Sequence, residues 1–152
     1  MREIIFRGKR VDNGEWVEGY LFNYNGNLCI QLEGIECDDY GLYPRCYAEV
    51  IPETIGQYTG LRDCKRTEEY PEGQMIFEGD IGRYEQTDGV KINGKPIISI
   101  GKVVYNEKTA SFAIDSKDEI GVKNYDYFPI KGFEIIGNIH DNPELLKGGE
   151  EE

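Results

Sequence analysis

One histidine and four cysteines in 152 residues leave little material for metal or nucleophile chemistry. Cys29, Cys37, Cys46 and Cys64 are spaced too widely for Cys-x-x-Cys pairs, and no histidine accompanies them. A tetrahedral zinc site or redox role stays geometrically open but unsupported by the spacing; no metal site and no cofactor are expected, and the thiols read as free, structural or incidental groups in a reducing cytoplasm. The chain also lacks any run of about 18 apolar residues, and Met1-Arg2-Glu3 leads straight into a strand-like segment without an apolar signal region. A membrane role is not expected. No Gly-x-x-x-x-Gly-Lys-Ser/Thr or Gly-x-Gly-x-x-Gly opens a helix, and no Gly-x-Ser-x-Gly elbow nominates a nucleophile. Heptads, fixed-period repeats and useful amphipathic helices are absent as well.

Positive charge is the other shortage. Seventeen basic residues face 29 acidic ones, for a net charge of −12. Such a surface repels phosphate backbones and anionic membranes, which disfavours nucleic acid as a partner without excluding it. Part of the excess sits at the C-terminus, where Glu150, Glu151 and Glu152 follow Gly148-Gly149. Residues 148–152 read as a solvated acidic tail, with partner binding as the alternative.

Eleven tyrosines, nineteen glycines and many Ile and Val residues point to strands joined by tight turns. The segment Arg2–Arg7 reads as a short strand ended by Gly8, and Asp12-Asn13-Gly14 as the turn after it. From Trp16 to Tyr24 a partial alternation sets Trp16, Glu18, Tyr20 and Phe22 against Val17, Gly19 and Leu21. Asn25-Gly26 is the strongest short hairpin signal in the chain, and Asn27–Leu32 returns as its second strand. Residues 33–43 are acidic and glycine-punctuated, hence a loop, and Arg45–Ile51 is a strand bounded by Pro44 and Pro52. Thr54–Thr59 is a short β-prone stretch, and Arg62–Gly73 a charged, irregular excursion.

Beyond Ile76 the pattern becomes regular. Ile81–Tyr84 reads as a strand, Asn93-Gly94 as a turn, and Ile97–Tyr105 with Ala110–Ile114 as a hairpin across Asn106–Thr109. Asp115–Asp126 reads as a polar connection, Phe133–Ile139 as a closing strand, and Asn142–Leu146 as one helical turn with Pro143 at its start. The expected architecture is mostly β with little helix. It comprises an N-terminal β-hairpin region over 1–56, a small SH3-like barrel over 57–147, and the acidic tail.

Three motifs, in this order, carry a family likeness. They are Gln57-Tyr58-Thr59-Gly60-Leu61-Arg62-Asp63, then Ile76-Phe77-Glu78-Gly79-Asp80-Ile81, then Glu134-Ile135-Ile136-Gly137-Asn138-Ile139 followed by Asn142-Pro143-Glu144-Leu145-Leu146. With these motifs and a similar opening at Arg2–Arg7, the chain resembles the YopX family of phage and prophage proteins over nearly its whole length. It departs from the family pattern between Asp63 and Ile76, where a longer and more charged loop replaces a compact turn. The resemblance implies a largely β protein of phage or prophage origin, placed in the cytoplasm of a bacterial host, and brings no reaction with it.

The residues offer few catalytic candidates of their own. His140 beside Asp141 could serve as a general base oriented by a carboxylate, yet the strand before it and the Asn-Pro turn after it account for it as a turn residue. Glu78 and Asp80 would share one side of a strand and could hold a hard cation or do acid–base work. The local reading is that Gly79 permits a turn in which Asp80 bonds backbone amides. Asp115, Asp118 and Glu119 lack the order of a calcium loop, and Asp38-Asp39 reads as loop solvation. Arg83, Lys91, Lys95, Lys102 and Lys108 gather near the expected barrel strands as a candidate basic patch.

No catalytic, cofactor or metal residue is therefore assigned, and no enzyme activity is expected. The leading function is a non-enzymatic protein-binding or adaptor module, its partner a phage or host protein, because tyrosine is enriched at interfaces. Homo-oligomerisation through short strand edges is expected as well. The alternatives are a nucleic-acid-linked protein, either a single-strand-binding barrel face or an acidic decoy of a DNA-binding protein, and a small carboxylate-dependent enzyme.

Overall fold

The computed structural model describes residues 1–32, 47–85, 91–117, 123–127 and 132–147. The acidic loop with Cys37, Asp38 and Asp39, Cys46, the Asp118-Glu119 pair and the acidic tail lie outside them. The chain forms two compact units, Met1–Gly60 and Leu61–Glu152. No helix among the described residues is long and apolar enough to cross a membrane.

The first unit is built on antiparallel strands β1 (Phe6–Lys9), β2 (Trp16–Tyr24), β3 (Asn27–Leu32) and β4 (Tyr47–Glu49). A 3₁₀ turn at Pro52–Thr54 leads into β5 (Gly56–Arg62), which crosses the boundary at Gly60. The hydrogen-bonded order in this unit is β4-β3-β2-β1-β5, and β6 (Met75–Phe77) belongs to the second unit. Asn25 and Gly26 both take positive φ, 51° and 85°, so the expected two-residue turn joins β2 to β3, and Tyr24 pairs with Asn27. The first strand begins at Phe6 rather than Arg2, and Gly8 lies within it instead of ending it. The reason is packing: a Cβ at Gly8 would lie 3.0 Å from Val50 Cβ, so this glycine lets β1 lie close over a core side chain. The register places Gly8, Val17, Leu21, Ile30 and Ala48 on one side of the sheet, where Ile30 and Ala48 are buried.

The second unit continues with β7 (Asp80–Glu85), a small ribbon of β8 (Lys91–Ile92) and β9 (Lys95–Pro96), then β10 (Ile98–Asn106), β11 (Ser111–Lys117), β12 (Lys123–Tyr127) and β13 (Glu134–Asn138). Pro143–Lys147 forms the expected helical turn, of 3₁₀ type. The main sheet has the order β12-β11-β10-β7-β13, every pair antiparallel. Mostly-β architecture is thus observed, but among the described residues no sheet closes into a barrel, and the SH3-like detail is not seen. Apolar alternation specifies which side of a strand is buried, not which edges meet, so a barrel and an open meander share one sequence pattern. The long strand β10 also changes partners along its length, pairing with β7 through Ile98–Lys102 and with β11 through Ile100–Asn106.

Two further differences concern extent. β11 runs on to Lys117, and the segment taken as a polar connection contains β12, whose Tyr125 pairs with Asp115. The run Lys123-Asn124-Tyr125-Asp126-Tyr127 mixes residues depleted in strands with tyrosine, so its sequence carries a weak strand signal. The core of this unit is Ile76, Tyr84, Val103, Ile114 and Phe133, with Leu61 and Ile135 packed against it. Phe133 stacks on Tyr84 at 6.2 Å between ring centroids and fills the space above Gly82. Phe133→Ala is expected to lower unfolding free energy by about 3–5 kcal/mol, read from urea denaturation. Ile92→Ala, at a position 49% exposed, should stay within about 0.5 kcal/mol.

Candidate functional site

The three family-like motifs fold into strand ends, turns and loop bases, most of them in the second unit. At the end of the first, Asp63 is only 2% exposed. Its Oδ1 accepts the Gln74 N–H at 2.9 Å and its Oδ2 the Ile135 N–H at 3.3 Å. The Asp63 N–H donates to the Gln74 carbonyl at 2.9 Å, and its own carbonyl accepts the Arg66 guanidinium at 2.7 Å. The charged excursion is therefore exposed along its length yet fastened at its base and to β13 by one carboxylate. Gly73 lies at that base with φ +89°, where a Cβ would come 2.3 Å from the Asp63 carbonyl oxygen. In the sequence Asp63 stands only as the end of a motif, and the signal that marks it is an Asp placed where a strand gives way to a loop.

In the second motif Glu78 and Gly79 form the turn between β6 and β7, so Glu78 and Asp80 do not alternate along a strand. Asp80 is buried and accepts the Phe77 N–H at 2.8 Å, while Gly79 takes φ +86°. The Gly79 N–H donates to Val103 and its carbonyl accepts from Ile139, each at 2.9 Å. Glu78 is half-buried, and Ile81 beyond it is fully buried. This is the local, turn-forming role weighed above for Asp80.

The third motif closes against that turn. Asn138 Oδ1 accepts the N–H groups of His140 and Asp141 at 3.0 and 2.9 Å, and its Nδ2 donates to Asp141 Oδ2 at 3.0 Å. Asn142 donates its N–H to the Asn138 carbonyl at 2.9 Å, and its side chain leaves no room for a Cβ at Gly137. Pro143 opens the 3₁₀ turn. His140 Nε2 lies 3.8 Å from where a Gly79 Cβ would sit, so His140 is brought beside the Glu78-Gly79 turn. In the first motif, Gln57 pairs with Phe6, Tyr58 and Thr59 are buried, Gly60 has φ +88°, and Leu61 packs on the core cluster. Among the described residues no group of three or more His, Cys, Asp or Glu is arranged to hold a metal ion.

The candidate basic patch is partly neutralised by the register. Arg83 pairs with Glu134 at 3.2 Å, Lys65 joins the same carboxylate at 3.4 Å, and Lys102 lies 3.8 Å from Asp115 across β10 and β11. Arg83 first and Lys65 second hold the Glu134 carboxyl below its ordinary value. Lys91 and Lys95 stand apart on the β8–β9 ribbon, and Lys108 on the β10–β11 turn.

A different surface emerges in the first unit. Period-two alternation puts Trp16, Tyr20, Phe22 and Tyr24 of β2 on the side opposite Leu21 and Ile30, and the register adds Tyr47 of β4. Tyr20 is 57% and Tyr24 50% exposed. Tyr47 meets Phe22 edge-on at 5.5 Å and Tyr24 at 5.7 Å. At the other end of β2, Arg7 lies 4.8 Å and Lys9 5.4 Å from the Trp16 ring centroid. Cys29 is buried on this face, and burial, then the charge of Glu49, push its thiol up. The alternation is readable in the sequence; the exposure of Tyr20 and Tyr24 on its aromatic side is not.

Two outcomes test this geometry. Asp63→Asn replaces one acceptor oxygen by a donor facing a backbone N–H, and should lower stability by about 1–3 kcal/mol in chemical denaturation. Arg83→Gln should raise the Glu134 titration midpoint, followed by carboxyl NMR. Because Glu134's folded value lies below its unfolded one, the pair's contribution is present above the ordinary carboxylate range and is lost as pH falls through the folded value.

No curated protein matches the chain. A family model described as YopX protein matches residues 5–147, a span that contains all three motifs and the struts they build. The chain belongs to the YopX family.

Proposed function

We propose that this phage-type protein is a non-enzymatic binding module that takes a protein partner on the aromatic face of its first unit. The observation that carries the reading is the exposure of Tyr20 and Tyr24, 57% and 50%, beside Phe22 and Tyr47 on one side of a sheet. Aromatic side chains are enriched at protein interfaces, because they add large contact area at small entropic cost. The residues first considered for catalysis support the same view. Asp80 spends an oxygen on the Phe77 amide, and His140 takes its place in a turn organised by Asn138. The partner would be a phage or bacterial host protein.

Affinity capture from bacterial lysate, comparing the full chain with its Tyr20→Ser/Tyr24→Ser variant, tests the proposal. The expected result is a specific protein whose retention falls on the order of tenfold in the variant, with the unfolding midpoint nearly unchanged. Retention indifferent to both substitutions would count against it.

A further inference from the structure

We infer that the Tyr24 end of the aromatic face receives an arginine or lysine side chain from a basic polypeptide segment. The inference rests on the binding role proposed above and names the partner's chemistry. The face already treats the chain's own cations this way: Arg7 and Lys9 lie over Trp16, at 4.8 and 5.4 Å from its centroid. At the opposite end of β2 the rings of Phe22, Tyr24 and Tyr47 cluster within 5.7 Å of one another along the contacts to Tyr47. Among the described residues no cation lies over them.

A carboxylate completes the arrangement. Phe22 pairs with Cys29 and Cys29 with Glu49, which sets Glu49 in the Phe22 row two strands away, about 10 Å across the sheet. Glu49 is exposed, and no ion pair among the described residues engages it. Ring faces with a carboxylate on the same side of the sheet attract a cation twice, through the ring quadrupole and through charge. The net charge of −12 supplies long-range attraction for a basic partner and repels both a nucleic acid and a second copy of this chain. From Tyr20 to Tyr24 the face spans about 13 Å of strand, enough for an extended segment of about four residues.

Calorimetric titration of the full chain with an arginine–serine repeat peptide at physiological ionic strength tests the inference. Tyr24→Leu keeps apolar bulk but removes the ring face, and Glu49→Gln removes the carboxylate charge without changing its shape. Each should weaken binding about two- to fivefold. Glu107→Gln, on the exposed β10–β11 turn of the second unit, should leave it nearly unchanged. Equal losses for Glu49→Gln and Glu107→Gln would overturn the inference by reducing it to diffuse charge. So would absence of peptide binding, or tighter binding of a single-stranded oligonucleotide. A captured partner that needs Tyr20 and Tyr24 but ignores Glu49→Gln would refute the cation reading alone. Capture that ignores the tyrosines would remove the binding role with it.

Discussion

The alternation of side chains along β2 is the constraint from which the exposed aromatic surface follows. A strand sends successive residues to opposite sides, so once Leu21 and its neighbour Ile30 are committed to the core, Tyr20, Phe22 and Tyr24 have only the other side to occupy. The Asn25-Gly26 turn fixes the register, and with it the rows that bring Tyr47 and Glu49 onto the same face. A slip of one residue would exchange the two faces and bury polar groups such as Gln31. The hydrophobic core of the first unit and its aromatic surface are therefore two consequences of one pairing.

The second unit depends on carboxylates used as backbone acceptors. Burying a charge is costly unless hydrogen bonds replace lost water, and Asp63 and Asp80 meet that condition through amides of Gln74, Ile135 and Phe77. The Ile135 bond joins positions far apart in sequence and ties the loop base at Asp63 to β13, whereas the Phe77 bond to Asp80 closes a local turn. The motifs that mark the family are thus the places where strand ends, turns and loop bases are fastened.

Much of this was legible in the sequence wherever local chemistry decides local structure. Asn25-Gly26 announced its hairpin, and β2, β3 and β10 fall where their patterns placed them. Legibility failed where the deciding partner is distant. Gly8 looks like a strand terminator until Val50 is seen packed against it, and Lys123-Asn124-Tyr125-Asp126-Tyr127 reads as a polar connection until its pairing with β11 is seen. Closure into a barrel could not be read, since no local residue states which edges meet. Asp63 was invisible as a strut because Ile135 is brought to it only by the fold. Alternation picked out the aromatic stripe of β2, but which side stays uncovered is decided by tertiary packing.

The proposed binding role puts recognition on this aromatic face and not at the motif-built turns of the second unit. Aromatic-ring and backbone NMR of the full chain, recorded with and without a captured partner, distinguishes the two. The largest shift changes are expected on Tyr20, Phe22, Tyr24, Tyr47 and Glu49. Changes centred instead on Glu78, Asp80 and His140, with the β2 aromatics unmoved, would contradict it.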